Sequence, residues 1–140
     1  GSVKGGKIVL REGNDNRIVI GEGIETVLSW DAMHGDGETL WSGVSLGNIA
    51  GRAAGKVMHP TMTIAGGKRR ALVSNDEPLS GDDCLKAAGD ITLLADGDSD
   101  QFTTQMDMER ARKRLGARRV EWPLEGSDWN DVICKREVAA

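Results

Sequence analysis

The chain opens with two short segments rich in β-branched and apolar residues. Residues 7–12 (KIVLRE) and 17–20 (RIVI) have the composition of β-strands. Between them lies a polar turn cluster, residues 13–16 (GNDN). The pattern therefore predicts a β-hairpin at the start of the fold.

Beyond residue 20 the spacing of apolar residues becomes helical. The predicted helix follows Gly21 and ends at His34-Gly35, because glycine is common just past a helix C-terminus. Its predicted buried face consists of Ile24, Val27, Leu28 and Ala32.

The middle of the chain is less regular. The predicted elements are a strand at 39–44, a short glycine-interrupted helix at 46–54, a β-hairpin of 61–64 and 71–73 around 66–70, and a polar loop at 74–83. We interpret residues 57–84 as an insertion.

Regular alternation then returns. The predicted elements are a strand at 91–95, a helix at 103–115 closed by Gly116, a strand at 119–122 and a short helix at 128–135. Strands that alternate with helices indicate βαβ units. The predicted fold is therefore α/β, with a central, mainly parallel sheet flanked by helices.

Composition and charge narrow the possible functions. A chain of 140 residues with a net charge of −4 is predicted to form one domain and is not a general nucleic-acid-binding protein. The two cysteines lie far apart and outside any zinc-ligand spacing. With no long apolar segment, we expect a cytoplasmic protein without membrane contact. Gly1-Ser2 is typical of the residue left by tag cleavage.

The strand at 91–95 runs into a cluster of acids. Asp96, Asp98 and Asp100 alternate with small residues in the segment LLADGDSD. Carboxylates this close repel one another unless a cation offsets their charge, and oxygen ligands suit Mg²⁺, Mn²⁺ or Ca²⁺. The cluster therefore predicts a metal site that acts on a phosphate.

A second acid, Glu22, follows the strand at 17–20 and has a glycine on each side. The carboxyl ends of parallel strands form the usual ligand site of open α/β sheets. If the two strands are neighbours, Glu22 converges with Asp96 and Asp98. A dinucleotide-binding GxGxxG motif is excluded because its third glycine position is Thr26.

The ordered pair of an apolar strand with Glu-Gly and an apolar strand with Asp-x-Asp resembles the Toprim domain. The segments IVIGEGIETVLSW, LLADGDSD and GARRVEWPLEGSDWNDV are most similar to primase-like proteins of phages, plasmids and mobile elements. The resemblance implies a Rossmann-like Toprim domain at 17–135, preceded by a β segment at 3–16 and followed by a tail at 136–140.

The resemblance also implies site roles and partners. Asp96 and Asp98 would bind Mg²⁺ or Mn²⁺, with Glu22 as general acid or base and metal contact, and Asp100 is a further metal candidate. The implied activity is primer synthesis from nucleoside triphosphates on single-stranded DNA. Other domains of the same protein, a basic primase subdomain and a helicase, are the implied partners.

The acidic set departs from that of cellular primases at two positions. Thr26 stands where they have an acid, with Glu25 beside it. Asn130 replaces one acid of a further pair, between Asp128 and Asp131. Glu25, Asp128 and Asp131 are therefore second-tier candidates, and the metal site is expected to have fewer ligands.

Basic residues on the helix at 103–115 supply a candidate nucleic-acid or nucleotide contact. Arg110, Lys113 and Arg114 could follow a phosphate backbone. A solvated helix face with internal ion pairs explains the same residues equally well.

Several alternatives stay open on sequence alone. The same acids could serve a Toprim nuclease, a non-catalytic metal- or nucleic-acid-binding module, or an acidic surface turn without function. An aspartate-nucleophile phosphatase is less consistent, because the acids do not lie on the first strand. His34 and His59 are expected to be loop histidines rather than ligands.

Overall fold

A computed structural model describes residues 6–13, 15–51, 55–64, 67–73, 84–85, 87–96 and 100–123. Five strands form one sheet, and two form a separate hairpin. The elements in chain order are β1 (Ile8–Arg11), β2 (Arg17–Gly21), α1 (Ile24–His34), β3 (Thr39–Ser42), α2 (Leu46–Ala50), β4 (Gly55–Ile64), β5 (Gly67–Val73), β6 (Asp90–Leu94), α3 (Gln101–Leu115) and β7 (Arg119–Glu121).

The five-stranded sheet has the order β1-β3-β2-β6-β7, with β2 at its centre. Ile20 of β2 pairs in parallel with Trp41 of β3 on one side and with Leu93 of β6 on the other. β7 adds in parallel to β6. Only β1 is antiparallel among the described strands of this sheet. The predicted α/β architecture with a mainly parallel sheet is confirmed.

The predicted hairpin of the first two strands is wrong. β1 pairs with β3, and β2 has parallel neighbours on both sides, which leaves no edge for β1. Arg11 fixes β1 in this place: its Nη1 and Nη2 donate to the two carboxylate oxygens of Asp31 on α1 at 2.9 and 2.8 Å. Its Nε donates to the Glu38 carbonyl at 3.0 Å. The turn cluster thus connects two strands that are not neighbours.

Helices cover both faces of the sheet. One face packs on α2 and α3, and the other packs on α1. Alternate residues of β2 separate to the two sides, with Ile18 and Ile20 in the first core and Val19 in the second. All three are buried, as expected for a central parallel strand.

The predicted buried face of α1 is only partly right. Val27 is buried, but Ile24 and Leu28 are 42% and 48% exposed, and Ala32 is exposed as well. Trp30 is buried instead, and its Nε1 donates to Glu121 of β7 at 2.5 Å. Because the indole extends towards β7, the helix turns Ile24 and Leu28 to its exposed side.

The hairpin of β4 and β5 is antiparallel and longer than predicted, since β4 begins at Gly55 and β5 at Gly67. It packs against α3. The predicted loop at 74–83 and helix at 128–135 lie outside the described residues. No helix in the described part of the chain has the length and apolar character needed to cross a membrane.

Candidate functional site

Glu22 directly follows the central strand. Its carbonyl accepts a hydrogen bond from Ser42 Oγ at 2.8 Å, and the Gly43 amide donates to the Gly21 carbonyl at 2.8 Å. A Cβ atom at Gly21 would lie 2.8 Å from Val27 Cγ2, which leaves no room for a side chain. The backbone that carries Glu22 is therefore fixed by β3 on one side and by α1 above it.

Asp96 follows the neighbouring strand. Because Ile20 pairs with Leu93, the register sets Glu22 and Asp96 within about one residue rise, roughly 3.3 Å, along the strand direction. The Ala95 amide donates to the Glu121 carbonyl at 2.9 Å, which holds the end of β6 against β7. The two acids thus stand at the carboxyl ends of adjacent parallel strands, as predicted for neighbouring strands.

The remaining predicted acids divide into two groups. Asp98, Asp128 and Asp131 lie outside the described residues. Glu25 is exposed in the first turn of α1. Among the described residues, no group of three His, Cys, Asp or Glu side chains is arranged to hold a metal ion. Of the acids predicted for the metal site, Glu22 and Asp96 are therefore the two described ones that directly follow central strands.

Asp100 caps α3. Its Oδ2 accepts hydrogen bonds from the Thr103 amide at 2.9 Å and the Thr103 hydroxyl at 2.6 Å. Together with a hydrogen bond from His59, these contacts lower the pKa of Asp100 below its ordinary value, the Thr103 hydroxyl contributing most. Asp100 therefore stabilises the start of α3. The sequence predicted it as a metal ligand and did not predict this structural role.

His59 is not a loop histidine. It lies within β4, is 3% exposed, and places Nε2 2.8 Å from Asp100 Oδ2. No local pattern predicts this contact, because the two partners lie in separate elements far apart in the chain. The nearest pattern in the sequence is the alternation of acids at 96–100, and it does not indicate a histidine partner.

A strained residue follows β3 at the same edge of the sheet. Val44 has φ of +73°, and the Ser45 amide donates to the Gly43 carbonyl at 2.8 Å, which together indicate a γ-turn of the rare, strained form. A β-branched residue in such a conformation costs about 1–3 kcal/mol. The Ser42 hydroxyl holds the turn in place by accepting from the Val44 amide at 3.2 Å. Sequence reasoning missed this turn.

The three predicted basic contacts differ in their surroundings. Arg110 is 2% exposed, its Nε donates to the Gly51 carbonyl at 3.1 Å, and its Nη1 lies 3.1 Å from Asp107. Arg114 donates to the Ile49 carbonyl at 3.1 Å. Both arginines thus satisfy carbonyl groups at the C-terminal end of α2, which is a structural role. Lys113 is exposed.

The donor set fits a hard cation such as Mg²⁺ or Mn²⁺. Proteins commonly hold Mg²⁺ through one or two carboxylates, with water and substrate phosphates as the other ligands. Glu22 and Asp96 supply two carboxylates in partly exposed positions, where water and a phosphate can reach them. The two side chains at this edge of the sheet are thus of the chemical type that Mg²⁺ and Mn²⁺ use as ligands.

Comparison with protein-family models, with curated proteins and with solved structures finds no match for this chain. The functional argument therefore depends on the residues and their geometry.

Proposed function

We propose that this chain is a Toprim-like catalytic domain of a primase-like replication protein, which transfers nucleotidyl groups to a primer on single-stranded DNA. The observation that supports it best is the placement of Glu22 and Asp96 at the carboxyl ends of two adjacent central strands. Ligand sites of open α/β sheets form at this edge. The type of reaction is inferred from the resemblance of the two strand-end motifs to the Toprim domain.

In this proposal Asp96 and Asp98 hold Mg²⁺ or Mn²⁺, and Glu22 stands beside them. The cation, when bound, offsets the negative charge of the nucleotide phosphates. Glu22 accepts the proton of the attacking 3′-hydroxyl, a role open to a partly exposed carboxylate that no described residue pairs with an opposite charge. The leaving group is pyrophosphate.

The surrounding backbone suits this role. The Glu22 carbonyl is bonded to Ser42, so the residue cannot turn freely about its backbone. Preorganisation of this kind lowers the cost of bringing an acid to the reacting atoms. A cytoplasmic location and fusion to other replication domains accompany the proposal.

Metal binding is the first test. Calorimetry with Mn²⁺ and ATP is expected to show binding to the wild-type chain and a loss of at least about tenfold in affinity for Asp96→Asn. Asp36→Asn is the matched control, because Asp36 is 87% exposed and borders the opposite end of the sheet, near Arg17. Absence of metal binding by the wild type would remove the catalytic proposal.

Synthesis on single-stranded DNA is the second test. The protein carrying this domain is expected to form dinucleotides from nucleoside triphosphates with Mg²⁺ or Mn²⁺, and Glu22→Gln is expected to lower the rate by about 10²–10⁴-fold. Cutting of DNA without synthesis would show a nuclease instead. Metal binding with neither reaction would show a non-catalytic binding module.

A further inference from the structure

Among the described side chains of the β4–β5 hairpin, His59 is buried and contacts Asp100, the last residue of the acidic segment. Its ring is 3% exposed and packs edge-on against Phe102 of α3, with 5.1 Å between ring centroids. Each of its two ring nitrogens has a described partner, Thr61 at Nδ1 and Asp100 at Nε2. A buried polar ring that is fixed at both nitrogens has one orientation and one tautomer.

The hydrogen bonds determine that tautomer. The Thr61 amide donates to His59 Nδ1 at 3.1 Å, so Nδ1 carries no proton. The proton therefore lies on Nε2, which donates to Asp100 Oδ2 at 2.8 Å. The ring thus connects the backbone of β4 to the Asp100 carboxylate.

The strand geometry favours this arrangement. Met58 pairs with Arg70 and Thr63 pairs with Lys68, so β4 contains more residues than β5 between these pairs. Irregularities of this kind redirect side chains and are common beside functional sites. His59 lies within the irregular segment, and its side chain turns inward to α3.

Asp100 joins this contact to the candidate site. It is the N-cap of α3 and the last residue of the acidic segment that begins at Asp96. The Ala95 amide, directly before Asp96, donates to the Glu121 carbonyl of β7, and the Asp100 carboxylate is bonded to Thr103 and to His59. Of the two described partners of that carboxylate, Thr103 belongs to α3 itself, and only His59 comes from another element.

We propose that His59 is a positioning residue, through which the inserted hairpin fixes Asp100 at the start of α3 and so supports cation binding by the acids that precede it. The inference rests on the proposed function, since it assigns a role to the hairpin in that same site. Metal sites depend on such outer partners, whose removal typically lowers metal affinity 10–100-fold. On this proposal the inserted hairpin contributes to cation binding at the site.

Two variants of similar size separate the positioning role from packing. The amide nitrogen of His59→Gln lies as many bonds from Cβ as Nε2 does and keeps the donor to Asp100. The shorter side chain of His59→Asn keeps the acceptor for the Thr61 amide near the position of Nδ1 but loses the donor to Asp100. We expect His59→Asn to lower Mn²⁺ affinity 10–100-fold in calorimetry with ATP, and His59→Gln to stay within about threefold of the wild type.

A cycle with Asp100→Ser completes the test, because serine also caps helices but is too short to reach His59. We expect the double variant His59→Asn with Asp100→Ser to bind Mn²⁺ no more weakly than Asp100→Ser alone. Circular dichroism identifies the folded variants. If His59→Asn does not fold, the Mn²⁺ affinity of Asp100→Ser tests the contact in its place.

The outcomes are distinct. Wild-type binding with unchanged affinity in His59→Asn overturns the positioning role alone. Equal losses in His59→Asn and His59→Gln overturn it as well, since they show a packing role. Absence of Mn²⁺ binding by the wild type overturns the proposed function together with this inference.

Discussion

A methyl group added at Gly43 is expected to destabilise the fold through one buried side chain, that of Ile49 on α2. Gly43 follows β3, and a Cβ atom there would lie 2.2 Å from Ile49 Cγ1 and 2.6 Å from Cδ1. Carbon atoms in contact normally lie about 3.5–4.0 Å apart. Ile49 is 1% exposed, so its side chain has no open space into which it can move.

The cost follows from this overlap. Overpacking of a core typically costs about 1–3 kcal/mol, and Gly43→Ala is expected at the upper end because both the γ and δ carbons collide. Ile49→Ala alone is expected to cost about 2–5 kcal/mol. The truncation removes both colliding carbons and leaves Ile49 Cβ at 3.7 Å, an ordinary contact. In that background Gly43→Ala should cost little.

Urea unfolding followed by tryptophan fluorescence measures the four free energies of this double-mutant cycle. We expect a coupling of about 1–3 kcal/mol in favour of the double variant. Additive losses would refute the reasoning, because they would show that Gly43 is required for a reason other than the room it leaves for Ile49.

Two further predictions concern charge. Burial raises the pKa of the Asp107 carboxyl, against the opposing effect of Arg110, so the folded state binds this proton more tightly than the unfolded state does. The free energy of unfolding should therefore fall as pH rises from about 4 through the raised pKa, and Asp107→Asn should remove that component. An unchanged pH slope in urea titrations of the variant would contradict the assignment. Arg11→Lys replaces a two-pronged contact with Asp31 by a single ammonium, and we expect a loss of up to about 1 kcal/mol that narrows at high salt. Equal stability at low salt would show that the contact does not hold β1.

The strands at the centre of the sheet could be predicted because their chemistry is local. Residues 18–20 and 91–94 are short, almost wholly apolar runs, which suits strands covered on both faces. Acids directly after such runs lie at the sheet edge whatever the strand order. The placement of Glu22 and Asp96 at one edge of the sheet could therefore be predicted from the sequence, whereas the pairing of their two strands was only a condition that the structure meets.

Features that depend on partners far apart in the chain could not be predicted from the sequence. The turn cluster at 13–16 suggested that β1 and β2 pair, whereas the partner of β1 comes from β3. The exposed side of α1 could not be chosen from apolar spacing alone, because Trp30 is turned inward by Glu121. His59 shows the same limit, since its partner Asp100 lies in another element.

The position of β2 at the centre of the sheet has a consequence for the order of folding. The strand meets β3 after one helix, but its other neighbour, β6, comes only after α2 and the whole hairpin of β4 and β5. Pairing of Ile18 with Ile91 closes a long loop, and such non-local contacts form slowly. The hairpin, by contrast, is made of local contacts and can form early. Glu22 and Asp96 come together only when β6 pairs with β2, so we expect the candidate site to be completed after the local hairpin has formed.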